Sequence, residues 1–114
     1  MKYYDISSVP NQKVALDLNG SMFMLVLTFF RGVMYYSLMT FDDRVLVQSE
    51  RVVNKGFLFP RRFEETFGGN LCFVDKDDEY PDYRRFNRQC VLCLYDQDEM
   101  SAARAGEDAD EEED

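Results

Sequence analysis

Residues 13–41, KVALDLNGSMFMLVLTFFRGVMYYSLMTF, decide the fold. The first six alternate, with Val14, Leu16 and Leu18 on one face and Lys13, Ala15 and Asp17 on the other. That period of two is the pattern of a half-buried strand. Asn19-Gly20 follows. A type I′ turn needs positive φ at both central residues, so this dipeptide is the strongest short hairpin signal. The run Ser21 to Arg31 therefore pairs back onto the first strand. It is apolar on both faces: Met22, Met24, Val26 and Phe30 on one, Phe23, Leu25, Leu27 and Phe29 on the other. A strand wet on one side does not carry large apolar residues on both. This one is either sandwiched inside the fold or covered by another subunit. Arg31-Gly32 gives a second tight turn, and Val33 to Phe41 a third strand. Its large residues also lie on both faces, Val33, Tyr35, Met39 and Phe41 against Met34, Tyr36 and Leu38.

Working outward, Asp42-Asp43 makes a third turn. Val45 to Val53 is a fourth strand, ending at Asn54-Lys55-Gly56. Turns spaced by roughly ten residues suit an antiparallel meander. Phe57 to Pro60 is a short segment closed by proline, and Arg61 to Phe67 reads as one helical turn or a loop. Gly68-Gly69 punctuates the chain before a short strand, Asn70 to Val74. Asp75 to Arg88 is polar, with Pro81 in its middle, and reads as an excursion loop. Cys90 to Tyr95 is the last strand. These elements predict an all-β body over residues 1–95, a small antiparallel sandwich or partly open barrel. A domain of this size buries only ~60–65% of its unfolded surface, so self-association would add to its stability.

The chain has 114 residues and a formal charge of −9, but that charge is local. Residues 96–114 hold ten acids and one base, Arg104. Residues 1–95 hold twelve acids, twelve bases and all seventeen Phe and Tyr residues. The 96–114 segment has no aromatic and no β-branched residue. It cannot offset its own ordering entropy and is expected to be a disordered acidic tail. It would solubilise the chain, dock a basic partner or guard against premature association.

Composition excludes several chemistries. There is no histidine, which removes His-based triads, Cys–His dyads and imidazole ligands. The longest apolar run, Met22 to Phe30, is nine residues, against ~20 for a membrane-spanning helix. The first ten residues, MKYYDISSVP, lack the apolar core of a signal peptide, so export is not expected and the three cysteines are expected to stay reduced. Cys90 and Cys93 sit three apart on a strand, facing opposite ways, with Cys72 the only other sulfur. They make no zinc site. The carboxylates of Asp75 to Asp82 place Tyr80 and Phe86 where an EF-hand loop needs Gly and Glu, so no calcium site is read there. Several serines stand without a base to activate them, and no catalytic residue, cofactor or metal is expected. Arg61, Arg62, Arg84, Arg85 and Arg88 are interleaved with Phe63, Tyr83 and Phe86. They read as rim charges at a protein interface, or as a stacking groove for single-stranded nucleic acid. The neutral body argues against the second. The residues expected at an interface are Phe23, Phe29, Tyr35, Tyr36, Arg61, Arg62, Tyr83 and Phe86. Those expected to shape turns are Asn19, Gly20, Gly68, Gly69 and Pro81.

The order of these motifs resembles a known family. Tyr3-Tyr4-Asp5-Ile6 is followed by Pro10-Asn11-Gln12, then a strand ending Leu18-Asn19-Gly20. The aromatic strand Tyr35-Tyr36-Ser37-Leu38, the turn Asp42-Asp43 and the strand Val45-Leu46-Val47 come next. Gly68-Gly69-Asn70-Leu71-Cys72-Phe73-Val74-Asp75, Pro81-Asp82-Tyr83 and a final Leu94-Tyr95 complete the series. In this order they resemble the small baseplate plug proteins of contractile-tailed bacteriophages and prophages, over residues 1–95. The resemblance implies a non-enzymatic structural protein of the virion, at the hub and tail-tube end of the baseplate. Its implied partners are tail-tube and hub proteins, and its implied state is a cyclic homo-oligomer, made in host cytoplasm before assembly. Two other readings compete with it. One is a phage single-stranded-DNA-binding protein with a regulatory acidic tail. The other is a soluble inhibitor whose tail mimics nucleic acid.

Overall fold

The computed structural model describes residues 1–112. Seven strands form two antiparallel sheets: β1 (Lys2–Tyr4), β2 (Gln12–Leu18), β3 (Ser21–Phe30), β4 (Val33–Thr40), β5 (Val45–Arg51), β6 (Gly69–Asp75) and β7 (Cys90–Asp96). Strands β2 to β5 make a four-stranded meander in sequence order. The second sheet has the order β1-β7-β6. The sheets do not close into a barrel. A short helix α1 (Glu64–Phe67) precedes β6, and a helix α2 (Gln97–Glu112) follows β7.

The tight turns fall where the sequence puts them. Asn19 and Gly20 take φ of 52° and 93°, and Leu18 pairs with Ser21 across the two-residue loop. Arg31 and Gly32 repeat this geometry, with Phe30 opposite Val33. Each register then follows. Leu16 faces Phe23, Val14 faces Leu25, Leu25 faces Leu38 and Phe29 faces Met34. These residues point inward, toward Leu71, Phe73 and Leu92 of the smaller sheet. Phe23, Leu25, Leu27 and Leu38 are no more than 3% exposed. Phe23 and Phe59 meet edge to face at 5.1 Å, and Phe73 stacks on Phe86 at 5.4 Å. Such pairs add about 0.5–1.5 kcal/mol beyond simple burial.

The double apolar pattern of β3 and β4 thus resolves into one core face and one outer face. The outer face is not covered by the chain itself. Phe30 and Phe41 remain 58% exposed, Val45 49% and Met22 39%.

The first residues of the acidic segment differ from the disordered tail expected from Asp96 onward. Gln97 opens α2, and Met100 of its first turn is buried to 2% exposure. Asp96 accepts a hydrogen bond from the Glu99 backbone N–H and donates its own N–H to the Glu99 carboxylate, a reciprocal cap. The N-terminal ammonium lies 2.9 Å from the same carboxylate. Cap, ion pair and apolar anchor together overcome a composition that lacks aromatics. The expectation for residues 113 and 114 lies outside the described residues.

Candidate functional site: an assembly surface

The Gly-Gly-Asn step has a structural explanation. Gly68 ends α1 in the left-handed region, at φ 71°. The Asn19 side-chain amide donates to the Phe67 carbonyl at 2.8 Å, which fastens the β2–β3 turn to this helix end. Gly69 runs against β7, where an added Cβ would lie 2.1 Å from the Tyr95 carbonyl oxygen. Asn70 is wholly buried. Its oxygen accepts from the Phe59 and Leu71 backbone N–H groups, at 2.9 and 2.8 Å. Its amide donates to the Phe59 carbonyl and the Glu64 carboxylate, both at 2.8 Å. One side chain therefore ties the 57–60 segment, α1 and β6 together.

The excursion loop after β6 is held by charge. The Asp75 side chain is fully buried and accepts from Arg85 Nε at 2.7 Å and Nη2 at 3.1 Å. It also caps the Asp77 N–H at 2.9 Å. The Arg85 guanidinium holds the Asp75 carboxyl below the usual carboxylate range, against the opposing effect of desolvation. Arg84 in the same way lowers the Asp82 carboxyl. Buried Pro81 leads into a 3-10 turn, Tyr83–Arg85, whose start is capped by Asp82.

The eight residues expected at an interface do not form one patch. Phe23, Tyr36 and Phe86 are core residues at 3%, 8% and 2% exposure, so a partner cannot reach them in the folded chain. The Tyr36 hydroxyl donates to the Leu58 carbonyl at 2.9 Å, and burial pushes its pKa up to about 12. Phe29 is half-buried and packs edge to face on Tyr83 at 5.1 Å. Arg61 and Arg62 are exposed beside Phe63, which stacks on Phe67, and Phe67 in turn packs on Phe23. Phe23 and Phe29 lie six residues apart along β3, so the two arginine groups sit about 20 Å from each other. No continuous basic stacking groove joins them, because Phe86 is inside and Arg84 and Arg85 are paired with carboxylates. Of the eight, Tyr35 alone belongs to the outer face of the meander.

That outer face presents Met22, Met24, Val26, Phe30, Val33 and Met39. The register makes them one surface, with Met24 opposite Met39 and Phe30 opposite Val33. A sequence signal for it existed. The polar alternation of β2 fixes Leu16 as inward, and the two-residue turn sets Phe23 beside it, so the set Met22-Met24-Val26 must face out.

Cys90 faces the core and Cys93 the opposite side of β7, directly across from Cys72. All three are buried, and burial pushes the Cys72 and Cys90 thiols up to about 12. Among the described residues, no group of three or more Cys, Asp or Glu is placed to hold a metal ion, and no helix is long and apolar enough to cross a membrane.

Two packed antiparallel sheets, not closed into a barrel, define a small β-sandwich module. Its family is specific. The model of the family described as cyanophage baseplate Pam3 plug gp18 matches residues 1–98, and the chain belongs to that family of phage baseplate plug proteins. No curated protein matches the chain. The family match ends two residues before the anchor Met100, and most of the acidic segment lies beyond it.

Proposed function

We propose that this chain is a structural plug in the baseplate of a contractile phage tail, at the hub and tail-tube end, acting through protein–protein contact. Its partners are tail-tube and hub proteins, and it works as a cyclic homo-oligomer in the assembled virion, after synthesis in host cytoplasm. The observation that carries this reading is the family match over the whole β body. The uncovered face of the meander supports it physically. Monomeric soluble proteins rarely expose apolar patches beyond a few hundred Å², and larger ones mark interaction sites. The fold spends its buried polar groups, Asn70, Glu64 and Asp75, on holding loops in place, which suits a scaffold.

The test is location. Purified particles, separated into tails and baseplates, are expected to contain the chain in the baseplate fraction, at a copy number that is a multiple of its cyclic order. Quantitative mass spectrometry measures both. Absence from the particles, or a place in the capsid fraction, would overturn the proposal.

A further inference from the structure

We infer that the free edge of β2 binds the β2 edge of a second copy of this chain, antiparallel, with each Ala15 opposite its equivalent. The two four-stranded meanders then run on as one continuous sheet. This concerns the free chain in solution and does not depend on where in the tail the protein sits.

Hydrogen-bond parity defines what the edge offers. In a hairpin closed by a two-residue turn, the flanking pair exchanges both backbone bonds, and every second pair after it does the same. Leu18 and Ser21 flank the Asn19-Gly20 turn, so Leu18, Leu16, Val14 and Gln12 bond to β3. Lys13, Ala15 and Asp17 turn their N–H and C=O groups away from β3. Two contacts agree with that parity. The Tyr4 hydroxyl reaches the Asp17 carbonyl at 2.7 Å, and the Phe29 N–H, one of the β3 set that faces β2, donates to Asn11 at 3.0 Å. Among the described residues, the N–H groups of Lys13, Ala15 and Asp17 and the carbonyls of Lys13 and Ala15 have no hydrogen-bond partner.

The other edges suit an added strand less well. The outer side of β6 already takes backbone bonds from Lys55 and Leu58, and β1 is three residues long. The register of β5 shifts twice against β4, and its Ser49 takes φ 49°, the kinked form that discourages pairing. Along β2, by contrast, every residue pairs with β3 without a shift. Its edge borders a groove between residues 5–7 and 12–15.

Charge selects the partner and the register. Lys13, Ala15 and Asp17 are the exposed residues of β2. A lysine on an edge strand guards against arbitrary pairing. In an antiparallel pair centred on Ala15, Lys13 of each copy stands opposite Asp17 of the other, and opposite charges across a strand pair stabilise it. Sliding the register by one step of the ladder puts Lys13 or Asp17 opposite Ala15 and loses both ion pairs. At the centre the small Ala15 groups bond to each other. The Asp17 N–H donates to the Lys13 carbonyl of the other copy, and the Lys13 N–H shares the Asp17 carbonyl with Tyr4. On the inner side, half-buried Val14 meets Leu16 of the other copy. The pair is isologous, with its twofold axis normal to the sheet. Seven residues give a shared edge of about 23 Å. That is a small interface, for which affinities on the order of micromolar are expected.

Sedimentation equilibrium of the full chain, across the micromolar range and above, is the primary measurement. The expected result is a monomer–dimer equilibrium. Lys13→Glu and Asp17→Lys each set like charges opposite one another and are expected to weaken self-association about tenfold or more, with unchanged far-UV spectra. Mixed together, the two variant chains are expected to pair with each other at near wild-type strength, because each then meets its opposite charge. Ala15→Cys is expected to cross-link to itself through a short bis-maleimide, while the wild-type chain, with its three cysteines buried, does not. A monomer at every concentration would overturn the inference, as would a trimer or larger ring. A dimer indifferent to Lys13→Glu, charge variants that fail to pair on mixing, or an Ala15→Cys chain that does not cross-link would overturn the proposed register. None of these outcomes bears on whether the chain is found in baseplates.

Discussion

Asn70 makes four hydrogen bonds from a position with no exposure, and every one of them joins segments distant in sequence or fixes its own strand. Replacing it with alanine would strand buried backbone donors and an acceptor at about 1–3 kcal/mol each when unpaired. Asn70→Ala is therefore expected to lower unfolding stability by about 2–4 kcal/mol in urea titrations. Two glycines make a sharper comparison. Gly20→Ala meets nothing within 4 Å and carries only the left-handed backbone cost, ~1–2 kcal/mol. Gly69→Ala would drive a Cβ to 2.1 Å from a backbone carbonyl, so β6 must part from β7. It is expected to cost several times more, and equal midpoints for the two variants would refute this account. Asp75 sets the response to acid. Its folded carboxyl ionises more readily than the unfolded one, whose pKa is ~3.9. The stabilisation it brings is complete above that value and is lost as pH falls through the folded value. Asp75→Asn is expected to cost about 3 kcal/mol at neutral pH and to flatten the acid limb of the stability curve. An unchanged acid limb would mean that the Asp75–Arg85 pair does not control acid unfolding.

At the level of elements, β3 shows how far alternation alone carries. The strands, their turns and the antiparallel order of the meander were all legible, because Asn19-Gly20 and Arg31-Gly32 fix two-residue loops and hence the register. What alternation could not do by itself was say which of two apolar faces is inside. That required carrying the polar face of β2 across the turn, and the choice of Phe23 and Tyr36 as interface residues shows the cost of not doing so. The distinction is measurable. Leu25→Ala, on the inner face, is expected to lose about 2–5 kcal/mol, whereas Phe30→Ala, on the outer face, is expected to change stability by less than ~0.5 kcal/mol. The family resemblance marks Tyr3-Tyr4-Asp5-Ile6, but the three residues of β1 are too few to show a period. Composition averages over a segment, so the single anchor Met100 at the start of α2 does not show in it. Truncation separates the anchor from the acids that follow it. Removing residues 104–114 is expected to leave the thermal midpoint unchanged, and removing 97–114 to lower stability by about 1.5–3 kcal/mol through loss of Met100 burial. Equal midpoints for the two truncations would show that Met100 anchors nothing.

For the whole molecule, the acidic character read from the total charge belongs to one end, and the β body is an electrically neutral scaffold. Its two sheets also differ in how they are threaded. Every pairing in the meander joins neighbours in sequence, whereas β1 can bond only to β7, with Tyr4 opposite Leu92. This difference in connectivity has a consequence in time. Closing a short hairpin costs little chain entropy, and closing a loop of nearly the whole body costs more and proceeds more slowly. The meander is therefore expected to gain hydrogen-exchange protection early in refolding, in amides such as Leu25 and Leu38, and Tyr3 to gain it last. Simultaneous protection of both groups in pulse labelling would contradict that order. In the interval, the sheet exists with both of its apolar faces bare, and the refolding yield should fall steeply as protein concentration rises.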